Sequence, residues 1–140
     1  MSDDVTLRIG SEHDILAARQ RGRELAQEAG FTGSDLTLIA TAISELARNI
    51  VEYAELGEIA ISVDRTNGRH GIVVVASDSG PGIPDVELAM QDGYSTGRSL
   101  GLGLPGARRL MDEFEIESVV DRGTTVRMKK WAVAPALQQR

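Results

Sequence analysis

Two pairs of strand-like segments, each closed by a short turn, constrain the fold of this chain more than any other feature. The first pair covers residues 58–64 and 71–77, with the strong turn signal Asn67-Gly68 between them, and the second covers 114–120 and 124–131. Because strands joined by so short a turn pair antiparallel, the sequence predicts two hairpins. The unbroken apolar composition of residues 71–77 further predicts a strand that is buried on both faces.

Helical periodicity dominates the rest of the chain. Ser11, with a carboxylate three residues later, starts the first helix as a capping box, and the second helix carries one long apolar stripe. Because the helices cluster instead of alternating with strands, we predict an α+β fold. Its form is a two-layer α/β sandwich, with a mostly antiparallel mixed sheet and helices on one face. The predicted elements outside the hairpins are a strand over Val5–Ile9 and helices over 11–29, 35–54, 84–90 and 104–113.

The acidic balance and the lack of cysteine exclude several classes of function. The chain has 140 residues, the size of one domain, with 21 acidic against 15 basic residues and a net charge of −6. That charge disfavours nucleic acid and anionic membranes as partners. The absence of cysteine excludes disulfides, cysteine–zinc sites and a thiol nucleophile. Without a signal peptide or a run of the ~20 apolar residues that cross a membrane, we expect one cytoplasmic domain over 1–140, with a disordered tail at 132–140.

The second predicted helix carries a polar face opposite its apolar stripe. Glu45 and Asn49 are spaced i, i+4 and therefore share this face, and Glu52 lies there too. Taken alone, such a face is more often simply solvated. The alternative is that it lines a ligand groove, where Asn49 offers a neutral oxygen to hydrated Mg²⁺ and Glu45 takes a proton from an attacking hydroxyl.

A carboxylate and two glycines follow the predicted apolar strand, in the sequence Asp78-Ser-Gly80-Pro-Gly82-Ile83. A carboxylate at a strand end can accept a hydrogen bond from an exocyclic amine such as that of adenine. Gly80 and Gly82 allow the backbone to approach a flat ring closely. A plain Gly-Pro turn is an equally good interpretation of this segment by itself.

A second glycine-rich stretch, residues 101–106, leads into a predicted helix. Backbone N–H groups of such a loop, together with a helix N-terminus, form an anion site, although a lone motif of this kind is weak evidence. Upstream, residues 93–99 have the composition of a flexible lid. Arg98 in that segment could meet a phosphate, but a surface position is the simpler interpretation.

The order of these motifs resembles the N, G1 and G2 boxes of the GHKL ATPase and kinase superfamily, which shares the Bergerat ATP-binding fold. The resemblance covers nearly the whole chain and implies ATP and Mg²⁺ as cofactors, with Glu45 as general base and Asn49 as magnesium ligand. Asp78 becomes the adenine anchor, which Thr124 assists through a water. The nucleotide-contacting positions that it implies are Asn49, Asp78, Gly80, Gly82, Ile83, Ser95, Thr96, Gly97, Gly101, Leu102, Gly103, Leu104 and Thr124.

Within that superfamily the chain is similar to the RsbT-type switch kinases of the stressosome. The length leaves no room for a transducer domain, and neither histidine resembles a phosphoacceptor box. The matching segments are 17–20, 41–50, 103–106, 109–114 and Lys130-Trp131. The resemblance implies phosphoryl transfer from ATP to Ser or Thr of STAS-domain proteins of the RsbS and RsbR types. It also implies that the released kinase activates a PP2C-type phosphatase or another output. The alternatives are a regulatory binding module, in which nucleotide only tunes affinity, and an anti-sigma factor kinase.

Overall fold

The computed structural model describes residues 4–90 and 103–132. A first strand and two long helices precede two hairpins, which are separated by two shorter helices. This order matches the predicted one and gives the predicted α+β class. The strands are β1 Val5–Ile9, β2 Gly57–Thr66, β3 Arg69–Asp78, β4 Glu113–Val119 and β5 Gly123–Trp131. The helices are α1 Glu12–Glu28, α2 Ser34–Asn49, α3 Val86–Ala89 and α4 Gly103–Leu110.

The five strands form one sheet in the order β1-β2-β3-β5-β4. Both predicted hairpins are confirmed, and each pairing between neighbouring described strands is antiparallel. The turn between β2 and β3 holds Asn67 and Gly68 at φ 54° and 76°, as a tight hairpin turn with positive φ at both central residues requires. The sheet is therefore antiparallel throughout its described part, without the parallel component that a mixed sheet would add.

The core lies between one face of the sheet and the helices. Gly22 of α1 shows how close the layers are, because an added Cβ there would lie 2.3 Å from Ile43 Cδ1 of α2 and 3.5 Å from Ile61 Cδ1 of β2. The apolar stripe of α2 is buried as predicted. The sheet residues that are buried on this face are Ile59, Ile61, Ile72, Val74, Ala76, Val126 and Met128.

The prediction that residues 71–77 are buried on both faces is wrong. Ile72 and Val74 are fully buried, whereas Val73 and Val75 on the opposite face are only half-buried. The helices cover one face of the sheet, so the second face is shielded only by neighbouring strands. There Val75 and Val73 pair with Arg127 and Lys129, whose long side chains stand beside the valines on the same face of the sheet.

Several predicted helix ends need correction. The predicted helix over 35–54 is α-helical only to Asn49 and then widens into a π-helical turn, Ile50–Ala54. The predicted helix over 104–113 ends at Leu110, because Glu113 already pairs with Lys129 in the sheet. The helix predicted over 84–90 is a single turn, Val86–Ala89.

The capping box at the start of α1 forms with a shifted partner. Ser11 Oγ accepts the N–H of Asp14 at 3.4 Å, as predicted. The carboxylate of Asp14, however, reaches past Ser11 to accept the N–H of Gly10 at 2.8 Å. These bonds lower the pKa of Asp14, chiefly through Gly10.

The last described residue, Ala132, extends the sheet by donating its N–H to His70 O at 2.8 Å. The rest of the expected disordered tail lies outside the described residues. Among the helices that the structure describes, none is both long and apolar enough to cross a membrane.

Candidate active site

A groove of about 220 Å³ opens between the end of α2, the end of β3 and the start of α4. It brings residues from all three predicted motifs to one place, although they are far apart in the sequence. The predicted site residues that line it are Glu45, Asn49, Asp78, Gly82, Ile83, Gly103, Leu104 and Thr124. The other lining residues are Arg48, Glu52, Tyr53, Ala54, Pro81, Pro84 and Ala89.

The remaining predicted site residues lie behind the groove or outside the described part. Gly80 packs directly against the π-helical turn, since an added Cβ there would lie 2.6 Å from Ala54 Cβ. A glycine at this position therefore lets the loop after β3 sit against the π-helical turn that follows α2. The predicted contacts that fall outside the described residues are Ser95, Thr96, Gly97, Gly101 and Leu102.

The polar face of α2 forms one wall of the groove and is not an ordinary solvated surface. Glu45 is only 7% exposed, and its Oε1 accepts the N–H of Gly103, the first residue of α4, at 3.2 Å. Asn49 lies one turn further along the same wall. The groove therefore holds a shielded carboxylate beside a helix N-terminus.

Burial raises the pKa of Glu45 above its ordinary value. The hydrogen bond from Gly103 and the positive charge of Arg48 offset only part of that rise, and the negative charge of Glu52 adds to it. A carboxyl group shifted in this direction exchanges protons closer to neutral pH, which suits general base chemistry.

Asp78 is held rigidly at the opposite end of the groove. Its Oδ1 accepts the N–H of Gly80 at 2.9 Å and the N–H of Thr124 at 3.3 Å. Within the described residues nothing donates to Oδ2, so this oxygen can accept a hydrogen bond from a ligand. Gly123 makes the approach possible, because its φ is +124° and an added Cβ would lie 2.0 Å from the carbonyl oxygen of Asp78.

Ser118 is a structural element of the site that the sequence argument missed. Its hydroxyl accepts the N–H of Ile83 at 2.6 Å and lies 2.8 Å from the Thr124 hydroxyl. A second link joins the same segments, since the N–H of Asp121 donates to Pro81 O at 2.7 Å. The loop after β3 is therefore tied to the β4–β5 hairpin. The available signal was a serine at an inward position of an otherwise regular strand alternation.

The π-helical turn Ile50–Ala54 shapes the wall between the two ends of the groove. It closes with a bond from the N–H of Glu55 to Ile50 O at 2.8 Å, and Glu55 has a φ of 71°. Single π turns of this kind are frequent at functional sites. Here the wider turn places Tyr53 and Ala54 in the groove lining, which helical periodicity alone did not predict.

Comparison with known sequences finds one family model and related bacterial regulatory proteins that match most of the chain. The family model for the histidine kinase-like ATPase domain matches residues 11–130. The chain is 51% identical over 131 residues to the serine/threonine-protein kinase RsbT of Bacillus subtilis (strain 168), covering 94% of this chain and 98% of that protein. It is also 36% identical over 106 residues to an anti-sigma F factor of Caldanaerobacter subterraneus subsp. tengcongensis, covering 71% and 73% of the two chains.

Comparison with solved structures supports the fold. The mycobacterial sensor histidine kinase MprB aligns with a TM-score of 0.55 at 15% identity, over 94% of this chain and 97% of that one. A chain of the SiaB–SiaC complex from Pseudomonas aeruginosa aligns with a TM-score of 0.56 at 13% identity, over 91% and 89%. At these identities the likeness shows a shared fold.

Proposed function

Because the chain belongs to the histidine kinase-like ATPase domain family, and within it to the RsbT-type serine/threonine kinases, we propose that its groove binds ATP and passes the γ-phosphoryl group to a partner protein. The observation that carries this proposal is the convergence of Glu45, Asp78 and Gly103 on one groove. A buried carboxylate at one end and a fixed carboxylate acceptor at the other match the two ends of a nucleotide.

We assign the Asp78 end to the adenine base. Its Oδ2 is the acceptor that an exocyclic amine requires, while the bonds from Gly80 and Thr124 hold Oδ1 in place. The Thr124 hydroxyl assists through a water. Gly82 and Ile83 form the loop beside the ring, and a glycine at position 82 lets this loop pack against the end of β4, because an added Cβ would lie 2.4 Å from Val119 O.

We assign the α4 end to the phosphates. Backbone N–H groups at Gly103 and Leu104 open an eight-residue helix, and a helix N-terminus favours anions. The segment before this helix completes the phosphate site in the proposal. Its proposed contacts are Ser95, Thr96, Gly97, Gly101 and Leu102.

The residues of the groove also fit Mg²⁺. The ion is commonly bound through one or two protein oxygens, with waters and substrate phosphates as the other ligands. Asn49 supplies one amide oxygen in the groove wall. The described residues contain no cluster of three or more His, Cys, Asp or Glu side chains that could hold an ion by themselves. Asn49 is the proposed ligand because it matches the magnesium-binding position of the N box and lines the groove. When bound, the ion neutralises negative charge on the phosphates.

In the proposed reaction, Glu45 is the general base. The oxygen of an acceptor serine or threonine forms a bond to the γ-phosphorus, the bond to the ADP oxygen breaks, and the hydroxyl proton passes to Glu45. Because its pKa is raised, this carboxylate binds the departing proton more tightly than an ordinary glutamate does, which favours proton transfer from the hydroxyl. Positioning and charge neutralisation supply the rest of the acceleration.

We propose STAS-domain proteins of the RsbS and RsbR types as the acceptors, in the cytoplasm, and a PP2C-type phosphatase or another output as the partner of the released kinase. This part rests on membership of the RsbT-type family. A second candidate is an anti-sigma factor kinase that also acts by sequestering its partner, and the 36% identity to an anti-sigma F factor favours it.

The proposal is tested by incubating the protein with Mg²⁺, radiolabelled ATP and a STAS-domain protein. We expect label on a serine or threonine of the partner. Glu45→Ala should retain ATP binding and lose about 10²–10⁴-fold in transfer rate, whereas Glu117→Ala, an exposed glutamate of β4, should match the wild type. Undiminished transfer by Glu45→Ala would refute the base assignment. A stable complex without transfer would favour a regulatory binding module.

A further inference from the structure

The charge of the groove wall does not suit the polyanion that it is proposed to bind. The described lining residues include three carboxylates, those of Glu45, Glu52 and Asp78, and a single cation, Arg48. We propose that Arg48 contacts the terminal phosphoryl group of the nucleotide and stabilises the charge that it carries during transfer. This inference rests on the proposed function, since it presumes a nucleotide in the groove.

The position of Arg48 places it at the phosphate end. It lines the same groove as Glu45 and Gly103, and it lies three residues after Glu45 on α2, a spacing that makes the two side chains neighbours on the helix surface. Its side chain is only 26% exposed, which puts much of it inside the wall. Its positive charge lowers the pKa of Glu45, so its field reaches the carboxyl that receives the proton.

The present partner of Arg48 is a weak one that a phosphate can replace. Arg48 Nη1 lies 3.8 Å from Oε1 of Glu12 in the first turn of α1, and the Glu12 side chain is 59% exposed. Such a long, exposed ion pair contributes little to stability. A phosphoryl group offers the planar guanidinium two oxygens at once, and paired bonds of that kind are among the strongest in proteins.

Arg48 forms no covalent bond in this scheme. While the acceptor oxygen bonds to the γ-phosphorus and the electron pair of the breaking bond leaves on ADP, the guanidinium holds non-bridging oxygens of the moving group. The hydroxyl proton still goes to Glu45. Arg48 is therefore inferred to be a catalytic residue that distinguishes ATP from ADP, because only ATP carries the group it contacts.

The test compares the affinities of ATP and ADP, each with Mg²⁺, by calorimetric titration. Arg48→Ala should lose about 10- to 100-fold in affinity for ATP, the range for hydrogen bonds to a charged group. It should change ADP affinity by less than about threefold, and its single-turnover transfer rate should fall about 10²–10³-fold. Arg48→Lys should recover part of the ATP affinity, since lysine keeps the positive charge but lacks the planar guanidinium that can donate two parallel hydrogen bonds.

Two matched variants separate this role from a structural one. Glu12→Gln removes the same ion pair from its other side, and Arg23→Ala removes one positive charge from an exposed site on α1. Both should keep the wild-type ratio of ATP to ADP affinity. If Glu12→Gln reproduces the loss, or if Arg48→Ala and Arg48→Lys both keep the wild-type ratio, the inference is overturned. A wild-type protein that binds neither nucleotide overturns the proposed function instead.

Discussion

Replacing Ser118 with alanine tests whether the loop after β3 depends on the β4–β5 hairpin. The change deletes one hydroxyl that bonds the N–H of Ile83 at 2.6 Å and the hydroxyl of Thr124 at 2.8 Å. Alanine fits a strand and leaves no charge behind. The effect therefore reports the hydrogen-bond network and little else.

Three groups lose a partner, because the Ser118 hydroxyl also donates to Gly123 O at 3.3 Å. The two shorter contacts, with Ile83 and Thr124, set the expected loss of stability. A polar group left unsatisfied costs about 1–3 kcal/mol. The Thr124 side chain is buried, whereas Ile83 is half-buried and regains part of its bond from water. We therefore expect a total near the lower end, about 2–3 kcal/mol. For a chain of 140 residues, unfolding entropy near 2.1 cal/mol/K per residue converts this into a melting temperature lower by about 7–10 °C.

Thermal unfolding followed by circular dichroism measures this shift, and Thr125→Ala is the control. Thr125 is the exposed neighbour of Thr124 on β5, and its replacement should cost less than about 1 kcal/mol. Affinity for ATP should also fall by about fivefold in Ser118→Ala, because binding must then order the loop at a cost of about 1 kcal/mol. If Ser118→Ala has the same melting temperature as Thr125→Ala and the same ATP affinity as the wild type, the hydrogen-bond network does not support the site.

Three further changes test the site itself. Asp78→Asn should abolish nucleotide binding in calorimetry. The amide oxygen of asparagine would accept the bonds from Gly80 and Thr124, which leaves its NH₂ donor facing the exocyclic amine of adenine. An affinity close to that of the wild type would refute the anchor assignment. Glu45→Gln should raise the melting temperature at pH 7, with a gain that fades as the pH falls toward 4.5. Burial raises the pKa of Glu45, so the folded state binds this proton more tightly than the unfolded state does. Ionised Glu45 therefore lowers the free energy of unfolding, and this loss of stability grows as the pH rises through the folded pKa. A gain in melting temperature that does not depend on pH would contradict this. Gly123→Ala should cost more than about 4 kcal/mol in urea unfolding, against about 1 kcal/mol for Gly68→Ala, whose Cβ meets nothing within 4 Å. Equal costs at the two glycines would contradict the close approach to Asp78.

The parts of the fold that were predictable are those that the chain encodes locally. A period of two with a turn signal such as Asn67-Gly68 defines a hairpin within about 20 residues, and both hairpins formed as predicted. The apolar stripe of α2 likewise needs only its own spacing. The burial of Val73 and Val75 could not be predicted in this way, because it depends on whether a second layer covers the far face of the sheet.

The candidate site likewise contains residues that local sequence predicts and residues that depend on contacts between distant segments. Glu45, Asn49 and Asp78 could be proposed from spacing and order, and the structure brings them to one groove. Ser118 and Arg48 were missed because their significance comes from contacts between distant segments. The bond from Ile83 to Ser118 joins residues 35 positions apart, and no local pattern records which loop a strand-end serine will meet.

In the proposed assignment, the phosphate and Glu45 compete for one N–H group, that of Gly103. A phosphate oxygen that accepts the Gly103 N–H must displace Glu45 Oε1, which now lies 3.2 Å away. That bond is one of the interactions that lower the pKa of Glu45, so its loss makes the carboxylate a stronger base. Added negative charge from the phosphate acts in the same direction. If the proposed roles of Gly103 and Glu45 hold, the substrate would therefore strengthen the base that deprotonates its acceptor.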